Sequence, residues 1–361
     1  MRGLARENRV LWVNSIGNRS PRATSRDVRR ALDKLRQAAS GLVQAEENLH
    51  VLSPLAIPYY GSSAVRRING ELLGAQVRWC MQRLGFRRPI SWSFLPAAAS
   101  VAGRLGESLV IYHCVDDFTA FEGTPAAAIA ELEADLCRRA DLVVVSAEKL
   151  LRERRRHNPR TVLVRHGVDH PHFSKALSPE LVVPPEIASL PRPVFGFFGL
   201  LAEWVDLELL GRVADRWPSG SLVLLGKESC DSSALRRRGN VHLLGRKPYG
   251  SLPAYCKGFD VALMPFRVNQ LTLAANPLKV REYLAAGLPV VSTAIPEVEA
   301  LGLCRIGRSH DAFLEELSAA LAQPGPRPER SAAVAHESWE ARLDEIRAHV
   351  ATVEREKRFS P

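Results

Sequence analysis

Apolar residues run along this chain in two alternating rhythms: short unbroken runs rich in Val, Leu and Phe, and longer stretches where they recur at helical spacing. The first rhythm predicts buried strands and the second amphipathic helices. The first strand is expected over 10–13, followed by a polar loop over 14–25 with Gly17 at its turn, where backbone could approach a ligand. Val28, Leu32, Leu35 and Ala39 predict a helix over 27–39, residues 48–57 are strand-like, and residues 68–84 form a further amphipathic helix. Strands over 90–95, 108–115 and 141–146 alternate with helices over 131–140 and 147–156, the last capped by Ser146. Periodicity then fails over 174–193, a stretch rich in Pro, Ser and Ala that predicts a linker. Beyond it the rhythm resumes, with strands over 194–198, 222–225, 241–244 and 261–265 and helices over 206–217, 252–256, 311–322 and 333–357. Two strings of βα units predict an α/β protein with two doubly wound parallel-sheet, Rossmann-like domains facing a cleft.

The strongest local signal is NPLKVREYLAAGLPVVST, residues 276–293. Asn276 suits a helix N-cap, Pro277 the first helical position, Gly287 the C-terminal stop, and Pro289 blocks continuation before a β-branched run. On such a helix Val280, Tyr283, Leu284 and Gly287 point one way, and Leu278, Lys279 and Glu282 another. The second face begins at a helix N-terminus, where unpaired N–H groups and the macrodipole favour phosphate, and Lys279 adds a full positive charge. Glu282 could accept hydrogen bonds from sugar hydroxyls, so the face fits a nucleotide sugar. The same Lys and Glu spacing also describes a solvated surface pair. Arg267, just upstream, suits bidentate phosphate contact.

A second candidate lies where the apolar run over 108–115 stops at Asp116 and Asp117, because ligands of open parallel sheets bind off the carboxyl ends of strands. His113, Asp116 and Asp117 would gather there. Adjacent aspartates on an extended segment diverge and chelate poorly, so no metal site is expected; either residue could instead cap the next helix.

The length suggests two domains, and 46% hydrophobic residues suffice for two cores. No apolar run is long enough for a bilayer span and the N-terminus lacks a signal-peptide core, which leads to an expectation of a cytoplasmic protein. Six scattered cysteines without a close pair predict free, mostly buried thiols. The net charge of +10 admits nucleic acid, an anionic membrane face or phosphate-bearing substrates as partners. The arginine clusters carry little aromatic content and no nucleic-acid module, which argues against nucleic acid.

KVREYLAAGLPVVST resembles the signature of GT-B glycosyltransferases of the family four, group 1 type, in which a Glu ahead of small residues and G-x-P-V-V binds the donor ribose. PFRVNQLTLAANPLKVREYLAAG is similar to the variant in a branch that assembles bacterial surface polysaccharide of the teichuronic-acid type. The family usually carries another Glu eight positions before Glu282, where this chain has Ala274, and a basic pair after the glycine matching Gly199, where this chain reads GLLAEWVD. RHGVD resembles the family's N-G-V-D element, with His166 in place of Asn, as an acceptor-side contact or a structural hydrogen-bonder. Gly245 and Arg246 match a loop that contacts base or phosphate in relatives, and also suit a plain turn.

The resemblance implies an acceptor-side domain over 1–173, a linker over 174–193, a nucleotide-sugar domain over 194–330 and a segment over 331–361 crossing back. It implies a hexosyltransferase-type enzyme that moves a sugar from a nucleoside diphosphate sugar to a glycan or lipid-linked acceptor in cell-surface polysaccharide synthesis. Retention, no metal, no cofactor beyond the co-substrate and peripheral contact with the inner membrane face are further expectations. Lys279 and Arg267 would stabilise the leaving diphosphate, with Glu282, Asn276, Leu278, Gly199, Gly245 and Arg246 around the donor. Gly17, Asp117 and His166 would lie on the acceptor side. The leaving phosphate would take the acceptor proton, and if a protein base acts, Asp116 or His113 would be it. A non-catalytic nucleotide-sugar-binding or scaffold protein and a hydrolysing nucleotide-sugar epimerase are the alternatives.

Overall fold

The computed structural model describes residues 2–15, 41–57 and 63–359. Gly17 and the helix expected over 27–39 lie outside the described residues. The chain divides into two compact units, Met1–Val164 with Leu343–Pro361, and Arg165–Arg342.

In the first unit, strands β1 (Val10–Val13), β2 (Leu42–Glu46) and β3 (Leu49–Leu52) form a sheet in the order β1-β3-β2. β1 and β3 are parallel, and β2 is antiparallel to β3. β2 escapes sequence detection because most of its side chains are exposed, leaving no apolar run. The expected strand over 48–57 is ordered as a ladder only at Leu49–Leu52. Its continuation is held by side-chain amides: Gln76 exchanges bonds with the Leu55 backbone at 2.8 and 3.0 Å, and Asn69 with that of Ile57 at 2.7 and 3.0 Å. Both amides project from helix α1 (Ser63–Leu84).

A parallel four-stranded sheet follows in sequence order: β4 (Ile90–Ser93), β5 (Leu109–Cys114), β6 (Leu142–Val145) and β7 (Thr161–Leu163). One face packs on the C-terminal helix, Trp339–Phe359, whose Ile346 and Val353 join Leu109, Ile111, Leu142 and Val144 in one cluster. Their spacing of seven residues puts both on one side of that helix. Ser146 does not cap the helix Glu148–Arg154; its hydroxyl donates to the Val115 carbonyl at 2.9 Å, and Ala147 is the N-cap residue.

The second unit holds one parallel six-stranded sheet: β8 (Val194–Phe198), β9 (Ser221–Leu225), β10 (Val241–Gly245), β11 (Val261–Met264), β12 (Val290–Thr293) and β13 (Arg305–Gly307). Its order is β10-β9-β8-β11-β12-β13, the doubly wound 3-2-1-4-5-6 arrangement, which reverses direction between β8 and β11. Every residue of β8, β9, β11 and β12 is buried, as expected for strands covered on both faces.

Two boundaries differ from the sequence expectation. Residues 165–173 belong to the second unit rather than the first, because Val168 and Phe173 are buried in its core and Val168 forms a bridge to Ser338. Residues 174–193 are not a free linker: they form the turns Ser174–Leu177 and Pro185–Ala188, whose Ala176 and Ile187 are buried in the same core. Prolines set these short turns without long periodicity, so the pattern of apolar positions hides them. All six cysteines are free, four of them buried. No described helix is long and apolar enough to cross a membrane.

Candidate functional site

The best-built site lies in the second unit at the reversal between β8 and β11, where a doubly wound sheet leaves a crevice off its strand ends. β8 ends at Phe198, and Gly199 follows with φ +143°, its N–H donating to the Leu225 carbonyl at 2.8 Å. β9 ends at Leu225, and Gly226 follows with φ +154°, its N–H donating to the Gly245 carbonyl at 2.8 Å. A Cβ at Gly226 would stand 1.7 Å from the Gly199 carbonyl oxygen, so only glycine permits this contact between main chains. A Cβ at Gly199 would stand 2.0 Å from Cε of Lys279. The lysine stem therefore lies directly across the backbone at the end of β8.

Helix α2 (Leu278–Ala285) brings that lysine in. Tyr283 pins it: its buried hydroxyl accepts the Phe198 N–H at 2.8 Å and its ring meets the Phe198 ring edge-on at 4.6 Å. Burying such a ring contributes about 1.5–3 kcal/mol. The expected face separation holds, with Val280, Tyr283 and Leu284 buried, Leu278 exposed, and Lys279 and Glu282 half-buried.

The N-cap expectation does not hold. Pro277 occupies the cap in an extended conformation without a side-chain cap bond, so the helix starts one residue later. The Asn276 side chain is instead engaged below: its Oδ1 accepts from Arg281 Nη1 at 2.7 Å and its Nδ2 donates to Glu297 Oε2 at 3.3 Å. Arg165 donates to the same Glu297 oxygen at 2.6 Å, and Arg281 Nε donates to Glu337. This buried chain of charges braces the inner side of α2. His166 sits beside it, 6.0 Å from the Trp339 ring, and burial with the Arg281 charge lowers its pKa to about 4. Its imidazole is therefore neutral at pH 7.

On the outer side Lys279 and Glu282 offset each other only partly, and burial outweighs their attraction. Burial pulls the Lys279 ammonium below its usual range, against the opposing pull of Glu282. Burial also pushes the Glu282 carboxyl up to about 7, although Lys279 lowers it. Both groups are short of solvation that a bound ligand could restore, a frequent mark of functional sites.

Sequence reading missed Tyr249. Its ring stacks on His172 at 4.5 Å and 17°, and His172 Nε2 lies 3.0 Å from the Tyr249 carbonyl. Burial, then the Glu282 and Asp169 carboxylates, push its phenol up to about 12, which places it in the electrostatic reach of Glu282. The available signal was an aromatic residue four positions past Gly245; its His172 partner is distant in sequence. Gly245 has φ +67° and open space where a Cβ would stand, and Arg246 is exposed. Arg267 is exposed too, with its backbone N–H tied to the Trp204 carbonyl at 2.8 Å. Ala274, where a second Glu was looked for, is completely buried beneath this surface. No acidic side chain reaches the ligand face from that position.

The second candidate lies in the first unit, off the end of β5. Asp117 caps the turn Phe118–Ala120, accepting from Thr119 N at 3.2 Å and Thr119 Oγ1 at 2.5 Å, with Lys149 at 3.5 Å. Behind it, buried Glu133 accepts from Tyr112 at 2.5 Å and Cys114 at 3.2 Å and pairs with Arg154 at 2.9 Å. Burial pushes the Tyr112 phenol and Cys114 thiol well up, so both remain neutral donors. At Asp116, burial, then Asp117, push the carboxyl up to about 6. The His113 ring packs 5.1 Å from Phe94 and 6.1 Å from Trp92.

Comparison with known proteins bears on the second unit most directly. Residues 192–323 match the family described as Glycosyl transferases group 1. A relative from Bacillus subtilis (strain 168), bearing the name teichuronic acid biosynthesis glycosyltransferase TuaH, is 24% identical over 80% of this chain and 72% of its own length. Sucrose-phosphate synthase from Thermosynechococcus elongatus superposes with a TM-score of 0.66 at 16% identity, over 95% of this chain and 98% of that one. A UDP-forming trehalose-phosphate synthase from Burkholderia vietnamiensis gives 0.64 at 14% identity, over 96% and 99%. Anabaena HepE, solved in complex with UDP, gives 0.59 at 15% identity, over 95% and 99%. These likenesses establish the fold as GT-B.

Proposed function

Residues 192–323 form a group 1 glycosyl transferase domain, the chain is a transferase enzyme, and we propose that it moves a sugar from a nucleoside diphosphate sugar bound at α2 to a glycan or lipid-linked acceptor in surface polysaccharide synthesis. The observation that carries this reading is the Lys279 stem lying across Gly199 with Glu282 one turn along the same face. Diphosphate would sit at the N-terminus of α2, taking the Lys279 charge and the dipole of the first turn. Glu282, once ionised, would accept both hydroxyls of the ribose. The Tyr249 ring, with Gly245 and Arg246 beside it in sequence, would present a flat surface to the base.

The transfer proposed retains anomeric configuration and uses no metal. As the bond from anomeric carbon to phosphate oxygen breaks, negative charge grows on the diphosphate, and Lys279, Arg267 and the helix dipole would stabilise it. The departing phosphate oxygen would take the proton of the acceptor hydroxyl as that oxygen bonds to the same face of the sugar. Asp116, whose carboxyl is pushed up to about 6, is offered as the acceptor-side residue of the first unit. The enzyme would work in the cytoplasm on acceptors presented at an anionic membrane face.

Calorimetry against UDP-, GDP-, ADP- and dTDP-sugars, without metal and then with magnesium, tests the proposal. One donor should bind equally in both conditions, and Lys279→Ala should abolish that binding. Binding that requires magnesium would remove the metal-free mechanism. No binding to any donor, in the presence of acceptor lipid as well, would remove the donor site.

A further inference from the structure

Helix α1, Ser63–Leu84, carries apolar residues on two sides. One side is ordinary core: Leu73, Val77 and Cys80 are buried with Leu52. The other faces outward, where Ile68, Leu72 and Trp79 are 49%, 42% and 52% exposed. At 100° per residue these three lie within about 40° of one another, well away from the buried face. They form a stripe rather than scattered exposures.

The stripe is widened by the chain beside it. The extended segment after β3 is fastened to α1 through Gln76 and Asn69, and its two outward side chains, Leu55 and Ile57, are 53% and 39% exposed. Alternation along an extended chain puts both on the same side. An exposed apolar patch built jointly by two elements is a mark of an interaction surface.

What borders the patch identifies its partner. Arg67 and Arg78 flank the stripe, and Arg83 lies over the Trp79 ring at 5.5 Å. Just past the helix, Arg9, Arg87 and Arg88 line a cavity of about 320 Å³, with Arg9 also donating to the last-turn carbonyl of Leu84. Among the described residues no carboxylate pairs with any of these six arginines, and the one acidic residue on this face, Glu71, is paired with Arg104 at 3.5 Å. Aliphatic and indole side chains rimmed by arginines match the boundary of a bilayer, where apolar groups enter the acyl region and cations meet lipid phosphates.

We propose that the outer face of α1, with Leu55 and Ile57, docks the protein on an anionic phospholipid bilayer, and that the Arg9, Arg87 and Arg88 cavity receives a lipid phosphate. This names a partner for the function proposed above and rests on that reading for its purpose, since a lipid-linked acceptor would be met at such a surface. Cations near an anionic surface add to the attraction, so the arginines should contribute alongside the apolar stripe.

Co-sedimentation of the full chain with vesicles tests the proposal, using phosphatidylcholine alone and phosphatidylcholine mixed with phosphatidylglycerol. Binding should appear only with phosphatidylglycerol and fall as salt is raised. Leu72→Asp with Trp79→Ala, and separately Arg87→Glu with Arg88→Glu, should each weaken it at least about tenfold. Both pairs are on the surface and should leave calorimetric donor binding unchanged, so loss of the docking surface and loss of the donor site are read independently. Equal binding to both vesicle types, no binding, or unaltered binding by the variants would overturn the proposal. So would lipid-free self-association abolished by Leu72→Asp with Trp79→Ala, which would assign the face to a second copy of the chain.

Discussion

The ends of β5 and β8 are both lined with charge, and they differ in what that charge meets. Past β5, Glu133 is saturated by Tyr112, Cys114 and Arg154, Asp117 holds Thr119 and faces Lys149, and Asp116 is the exception, its carboxyl pushed up to about 6 by burial and by Asp117. Past β8, Lys279 and Glu282 have been taken partly out of water, and the ionised form of each is disfavoured by burial. Charge paired internally holds a fold together; charge left short of partners beside an open backbone is poised for a ligand. The same contrast is repeated within α2, where Arg281 faces inward to Asn276 and Glu337, and Lys279 and Glu282 face outward.

That contrast predicts opposite consequences for mutations at the two places. Glu133→Ala should cost about 3–5 kcal/mol of stability, because it removes the most deeply buried partner of Arg154, leaving it Glu153 at 2.9 Å and Asp117 at 3.9 Å, and strips buried Tyr112 and Cys114 of their acceptor. Denaturant unfolding followed by tryptophan fluorescence would measure it, and a loss below about 1 kcal/mol, the range of an exposed pair, would show that Glu133 is not the keystone described. Lys279→Ala should do the reverse, leaving the unfolding midpoint nearly unchanged while lowering kcat/KM for transfer by roughly 10²- to 10³-fold. If its main effect were on stability, the distinction between the two regions would fail.

Gly199→Ala sharpens the comparison without touching a charge. Its methyl group would have to displace the Lys279 stem, and the backbone at φ +143° resists any side chain. Transfer should fall roughly tenfold or more, as expected when a charged group is moved by about 1 Å. Donor affinity measured in parallel should fall with it. Full activity in this variant would show that Lys279 does not act from its observed position.

Much of this was legible in sequence because the second unit is made of fully buried parallel strands. Val194–Phe198 appears as an unbroken apolar run, and its limits are the observed ones. The two faces of α2 followed from residue spacing alone. What escaped detection depends on contacts between distant positions. Asn276 looked like a cap by its neighbours, but Pro277 is extended and the amide answers to Arg281 and Glu297. Nothing in the local pattern marked Arg281, yet it is buried against Glu337, and Tyr249 acquires meaning only beside His172. Leu42–Glu46 was invisible because an exposed hairpin strand needs no apolar side chains.

Glu282 offers the most direct test of the central claim, that α2 presents a ligand face of unsatisfied charge. Its carboxyl is raised from 4.5 to about 7, so across that interval the folded protein retains a proton that the unfolded chain has lost. The contribution of Glu282 to the stability of the free protein should therefore decline as pH rises from about 4.5 through about 7, since its ionisation is penalised in the fold. Donor affinity should move the opposite way, rising through the same interval as the carboxylate becomes an acceptor for ribose. The decisive measurement is donor affinity by calorimetry across this range in wild type and Glu282→Gln. The account predicts a rise centred near pH 7 in the wild type and a flat, weaker profile in the variant; identical profiles in the two proteins would contradict it.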